Sequence, residues 1–296
     1  MVKSFYIYLP PDYAQPDQQQ QRYPVLYLFR GHEREWVNLH EDSSRGGRSI
    51  VDVYLELYRK GQVGPMILVC PGISSDDFHI PGLLVDFKQP ELAEGAKGVG
   101  SGRFESYFLK ELVTYVDFHY RTLPDRRHRG VDGFSLGGFQ AIKIAAQYPA
   151  MFSTSGAYDG TFFYPSRDGK RISGKDGLFR AELFDPAFGK PRDMEFAAAN
   201  NPANLIMNAH PRDLASIFWM IQTGPVAAEP MNANYYRGKY VVDLLEGKKI
   251  PNRVPLVLSG GLHNWATADR HMALTLPLHW QILSGQFLTT APFTQY

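Results

Sequence analysis

The stretch "RGVDGFSLGGFQAIKIAAQYP" (Arg129–Pro149) decides the fold. Residues 129–134 read as a strand, and residues 136–147 repeat apolar side chains at helical spacing until Pro149 closes the run. Between them stands Ser135, in the pattern Gly133-x-Ser135-x-Gly137. This pattern fits a nucleophile elbow, where a serine takes a strained backbone and the glycines let strand and helix approach closely. The plainer alternative is a glycine-rich joint with no chemistry, so the rest of the chain must decide. If a helix starts at Leu136, its N-terminus aims free N–H groups and a positive dipole end at the space above the serine. The Leu136 N–H is then the natural oxyanion donor.

Outward from this joint, strand-like and helix-like stretches alternate. Short apolar runs at residues 5–10, 23–29, 65–70, 216–224 and 254–261 predict strands, and "MFSTSGAY" (151–158) begins another. Helical spacing covers 48–60, 103–120, 232–249 and 268–283, the last interrupted by Pro277. Alternation of this kind predicts an α/β fold with a mainly parallel sheet, in one domain over 1–296. The stretch 159–212 has weak periodicity but many aromatic residues, which argues against disorder. It reads as an insertion forming a cap or lid over the strand ends.

Composition narrows the partners. Of the 296 residues, 44% are hydrophobic and 21% charged, as expected of a globular protein, and the net charge of +1 gives no electrostatic case for nucleic acid or anionic membrane. The basic cluster at 121–130 includes Pro124 and Asp125 and reads as a solvated loop. One cysteine, Cys70, excludes an intrachain disulfide and a thiolate zinc site, and its apolar setting suggests an inert core thiol. No apolar run reaches membrane-spanning length, and the N-terminus lacks the pattern of a signal peptide, so the chain as given reads as soluble.

A serine hydroxyl needs a base, and in this fold class the chain order is serine, acid, histidine. His119 and His128 precede Ser135, His210 falls in the irregular insertion, and His271 and His279 lie within a helix, where a stacked or surface role is expected. His263 follows an apolar run and two glycines, which puts it on a loop at the right edge of the sheet. The acid is expected just past the strand at 216–224, where the first carboxylate is Glu229. Asp213 precedes that strand, and Asp243 lies well inside the next helix.

Several segments together resemble the esterases of the esterase D type within the α/β-hydrolase superfamily, which include feruloyl, acetyl-xylan and enterochelin esterases, S-formylglutathione hydrolases and mycolyltransferases. The segments are "IYLPPDY" (7–13), "YPVLYLFRG" (23–31), 104–121, 129–152 and "GGLHNWATA" (260–268). The resemblance implies an α/β-hydrolase fold, Ser135 as nucleophile, His263 as base, a carboxylate near Glu229, and no metal or organic cofactor. It also implies the His32 N–H as second oxyanion donor. Two positions depart from the family pattern: Arg30 replaces the usual histidine, and "GPVAAE" replaces a usual Gly-x-x-Asp.

The expected activity is carboxylic ester hydrolysis through an acyl-enzyme. The resemblance favours acyl esters of carbohydrates. Trp36, Phe78, His79, Phe87, Phe134, Tyr158 and Trp265 are candidates for the mouth of the site, and Arg30 for contact with an anionic substrate. The alternatives are an inactive ligand-binding homologue, a siderophore esterase and an acyltransferase. A carboxylate within hydrogen-bond reach of His263 would favour the enzyme over the binder.

Overall fold

Buried parallel strands are apolar on both faces because helices cover both sides. The computed structural model, which describes residues 2–286, follows this rule at its centre. The sheet has six strands: β1 (Phe5–Tyr8), β2 (Val25–Phe29), β3 (Ile67–Pro71), β4 (Arg129–Gly133), β5 (Thr154–Tyr158) and β6 (Phe218–Gln222). Their order is β1-β3-β2-β4-β5-β6; only β1 is antiparallel to its neighbour. This is the α/β-hydrolase architecture expected from the sequence.

The two-residue period of β2 divides the core. Val25, Tyr27 and Phe29 face a cluster that includes Phe104, Phe108, Phe139 and Ile142, while Leu26 and Leu28 face Trp36, Tyr54, Met272 and Leu276. The helices Ile50–Arg59 and Trp265–Leu283 therefore lie on one face, with 104–119 and Leu136–Gln147 on the other. Cys70 is buried on β3, and burial pushes its thiol up to about 12.

The strand predicted at 254–261 is reduced to one bridge between Thr223 and Val257. The Thr223 N–H donates to the Leu256 carbonyl at 2.7 Å and the Leu258 N–H to the Thr223 carbonyl at 2.9 Å. Pro255 offers no N–H and the chain turns at Gly260 (φ +62), so a longer ladder cannot form.

Between β5 and β6, short helices at Asp185–Phe188, Met194–Ala199, Pro202–Asn208 and Pro211–Ala215 replace regular strand–helix alternation. Their packing follows from the rings noted above. Phe162, Phe163, Phe179, Phe184 and Phe188 are all buried, and the Phe163 ring lies 5.3 Å from that of Phe139 on the 136–147 helix.

Candidate active site

Ser135 joins β4 to the 136–147 helix with φ 59° and ψ −117°, a conformation that costs an L-residue energy and survives only where the surroundings impose it. The surroundings are backbone. The Ser135 N–H donates to the Tyr158 carbonyl at 3.0 Å, and its carbonyl accepts from Phe139 and Thr161 N–H, each at 3.2 Å. The glycines leave room for this turn. A Cβ on Gly133 would lie 2.3 Å from the Gly137 carbonyl, and one on Gly137 would lie 1.8 Å from the Phe29 carbonyl oxygen. Ser135 is 4% exposed, and no acceptor among the described residues takes the Leu136 N–H.

His263 lies on the loop before the 265–283 helix, its N–H donating to the Asn232 carbonyl at 2.8 Å. Its ring centroid is 4.8 Å from that of Phe134, the residue before the serine. Its Nδ1 meets Asp159 Oδ2 at 2.5 Å. Asp159 immediately follows β5, has φ +50°, and is fully buried. Its other oxygen accepts from the Asn234 N–H at 2.8 Å and the Gly224 N–H at 3.3 Å. Three elements thus fix one carboxylate, which leaves His263 Nε2 as the ring nitrogen facing away from it.

The expected acid, Glu229, is not in this arrangement. Its Oε1 accepts the Tyr236 N–H at 3.0 Å, near the start of the next helix. The carboxylate arrives one strand earlier, from the residue after β5, a strand hydrogen-bonded directly to β4. The signal is an aspartate directly after a strand-like run and before a glycine, at the first position of the irregular stretch 159–212.

The second expected oxyanion donor is also occupied. Both the His32 and Gly31 N–H groups donate to Glu35 Oε2, each at 2.7 Å. Residues 32–36 make a tight turn, and a glutamate three residues on folds back over its free N–H groups as in a capping box. Arg30 Nε is 3.7 Å from Glu35 Oε1, and its guanidinium lies 5.3 Å from the Phe134 ring. Arg30 thus stays beside the site, with its charge partly neutralised.

Four of the aromatic residues assigned to substrate lie in the floor, not the mouth. Trp36, Phe134, Tyr158 and Trp265 are at most 4% exposed. Trp36 Nε1 donates to the Phe29 carbonyl, the Tyr158 hydroxyl donates to the Leu262 carbonyl, and Trp265 packs edge-on against both Trp36 and Phe134. Large rings with satisfied polar tips are core material. Phe87 is also core, whereas Phe78 is 51% exposed and lies over the His32 ring at 4.5 Å. His271 and His279, expected at the surface, are fully buried against Asp132. Among the described residues no cluster of His, Cys, Asp or Glu could hold a metal ion.

This sheet, with a strained serine at a strand's carboxyl end and a histidine paired with a buried aspartate after two other segments, is an α/β-hydrolase fold. The family model described as "Putative esterase" matches residues 3–230, and the chain belongs to that family. An endo-1,4-beta-xylanase/feruloyl esterase of Xylanibacter ruminicola is 28% identical over 160 residues, covering 54% of this chain and 20% of that protein. An esterase of Mycobacterium tuberculosis is 27% identical over 154 residues, covering 52% of this chain and 28% of its own length. The chain therefore spans less than a third of either relative. A solved ferulic acid esterase superposes with a TM-score of 0.69 at 20% identity, covering 95% of this chain and 92% of the other, which establishes the shared fold.

Proposed function

We propose that this chain hydrolyses carboxylic esters through an acyl-enzyme on Ser135. The observation that carries this reading is the contact of His263 Nδ1 with the buried Asp159 carboxylate beside the strained serine. In the reaction His263 Nε2 takes the hydroxyl proton as Ser135 Oγ attacks the ester carbonyl. Asp159 holds the imidazole in the tautomer that leaves Nε2 free and stabilises the imidazolium that forms. The Leu136 N–H meets the oxyanion, a contact worth about 3–4 kcal/mol in comparable sites. His263 then protonates the leaving alcohol, and water repeats the sequence to release the acid. The His32 N–H joins as a second donor only when Glu35 moves away.

For the substrate we propose an acyl ester of a carbohydrate. The Xylanibacter relative's feruloyl esterase name supports this, as does the exposed Phe78 ring, placed to stack against an aromatic acyl group or a sugar. The Asp159–His263 pair argues against an inactive binder, which has no need of an oriented imidazole. Purified protein should release p-nitrophenol from the acetyl ester, and Ser135→Ala should abolish turnover. Equal slow release by both proteins would end this reading, as would a fluorophosphonate probe that leaves Ser135 unlabelled. Methyl ferulate, acetylated xylan and a catecholate siderophore, compared side by side, separate the substrate classes.

A further inference from the structure

Beneath the serine lies a charged cluster that the ester-hydrolysis steps do not use. Asp132 sits on β4, three residues before Ser135, and is fully buried. Four donors surround its carboxylate. Oδ1 accepts from the Gly133 N–H at 2.7 Å and His271 Nε2 at 3.0 Å; Oδ2 accepts from the Thr275 hydroxyl and His279 Nε2, each at 3.0 Å. His271, Thr275 and His279 are spaced by four along the 265–283 helix, so one helix face grips one strand residue. Burial alone would raise the Asp132 carboxyl, but the charge of His271 and the hydrogen bonds of both histidines outweigh it and hold it well below the usual range.

The partners count the protons. The Gln222 Nε2 donates to the Pro255 carbonyl at 3.1 Å, so its Oε1, 2.9 Å from His271 Nδ1, is an acceptor. His271 therefore faces an amide oxygen with one ring nitrogen and a carboxylate with the other, and both nitrogens must carry hydrogen. His279 differs. Its Nδ1 meets the Thr154 hydroxyl at 2.7 Å, which can donate, so a neutral ring satisfies both contacts. One anion and one cation result.

Two glycines clear the space. A Cβ on Gly156 would lie 2.1 Å from Asp132 Oδ2, and one on Gly130 would lie 2.3 Å from Thr154 Oγ1. Apolar packing would fill such a site at no charge penalty, so a buried ion pair here invites a functional explanation. The geometry supplies one, since β4 delivers Ser135 and the gripped helix begins two residues after His263.

We propose that Asp132, His271 and His279 form a charged clamp, with His271 an imidazolium at neutral pH, that positions Ser135 and His263 by fastening the 265–283 helix to β4. These are positioning residues, and their effect on turnover rests on the ester-hydrolase reading above. The test begins with nitrogen-detected NMR of the histidine rings in the intact protein at neutral pH, with His271 assigned through His271→Gln. Both His271 nitrogens should be protonated; an unprotonated nitrogen overturns the proposal.

The second arm is Asp132→Asn, folded by circular dichroism. Its rate of Ser135 labelling by a fluorophosphonate and its kcat for p-nitrophenyl acetate should both fall at least about tenfold, with KM changed less than about threefold. Labelling at the wild-type rate overturns the clamp. If Asp132→Asn does not fold, His279→Gln replaces it: slower labelling supports the clamp and an unchanged rate overturns it. Should wild-type Ser135 fail to label, the ester-hydrolase reading falls and the ring nitrogens still decide the charge on His271.

Discussion

Asp159 makes the contact with His263 that the sequence reading gave to Glu229, and Glu229 instead accepts from the Tyr236 N–H. Asp159→Asn preserves an acceptor oxygen for the Asn234 and Gly224 N–H groups but offers His263 the wrong hydrogen-bonding partner. We expect kcat to fall by about 10³–10⁴, with the fold retained. Glu229→Gln should leave kcat within about twofold, since among the described residues its carboxylate bonds the Tyr236 backbone and not His263. Steady-state kinetics of the two variants on p-nitrophenyl acetate decide between them; equal losses would return the acid role to Glu229. Ser135 and His263 were legible because each follows a strong apolar run with glycine at its end. Asp159 was harder to see. The strand before it, "TSGAY", is legible, but its end merges with the irregular stretch 159–212, of which Asp159 is the first residue. Asp132 carried a visible warning, a charge inside a strand otherwise fit for burial. His271 and His279, eight apart on one helix, are its matching signal downstream.

At the scale of elements, the loop after β2 holds the start of the 265–283 helix. The Trp265 N–H donates to Asp42 Oδ2 and the Ala266 N–H to Ser44 Oγ, each at 3.0 Å. Arg45 makes a two-pronged contact with Asp269 at 2.9 and 3.0 Å and donates to the Glu35, Trp36 and Asn38 carbonyls. This loop was legible only as a connection, because its partners lie more than 200 residues away along the chain. Burial raises the Asp269 carboxyl, and Arg45 offsets only part of that rise. Arg45→Ala should therefore cost about 3–5 kcal/mol, because it leaves a buried carboxylate and three carbonyls without their donor. Urea denaturation measures the loss, and a change under about 1 kcal/mol would mean that the grip is incidental.

For the whole molecule, several carboxyls set the response to acid. Burial opposes ionisation of Asp42, Asp132 and Asp176. Yet hydrogen bonds and cations hold all three below the usual range: the Ser44 hydroxyl and Trp265 N–H, the two histidines, and Arg237 respectively. A lowered folded-state value stabilises above the unfolded value of about 3.9, and that stabilisation is lost as pH falls below it. Asp269 and Glu41, raised by burial, have the opposite sign. Carboxyls held low outnumber those raised, so the melting temperature should hold between about pH 7 and 5 and fall steeply below about 4. A flat profile to pH 3 would show that these contacts contribute little. The mainly parallel sheet with alternating helices was legible from periodicity at this scale, whereas the strand order and the face each helix covers come from the structure. The insertion was not, because its rings pack by shape against the 136–147 helix without a repeat.

The single bridge at Val257 has a mechanical consequence. Ser135 and Asp159 each follow a strand inside the sheet, whereas His263 follows a segment, 254–261, whose backbone pairs with the sheet, among the described residues, at the single bridge to Thr223. The imidazole is therefore mounted on the softest of the three supports. Backbone hydrogen exchange should show this directly, with amides at Val131 and Ala157 exchanging orders of magnitude more slowly than those at Leu258 and Gly261. In that case opening near His263, not distortion of the serine turn, is the way this site first comes apart.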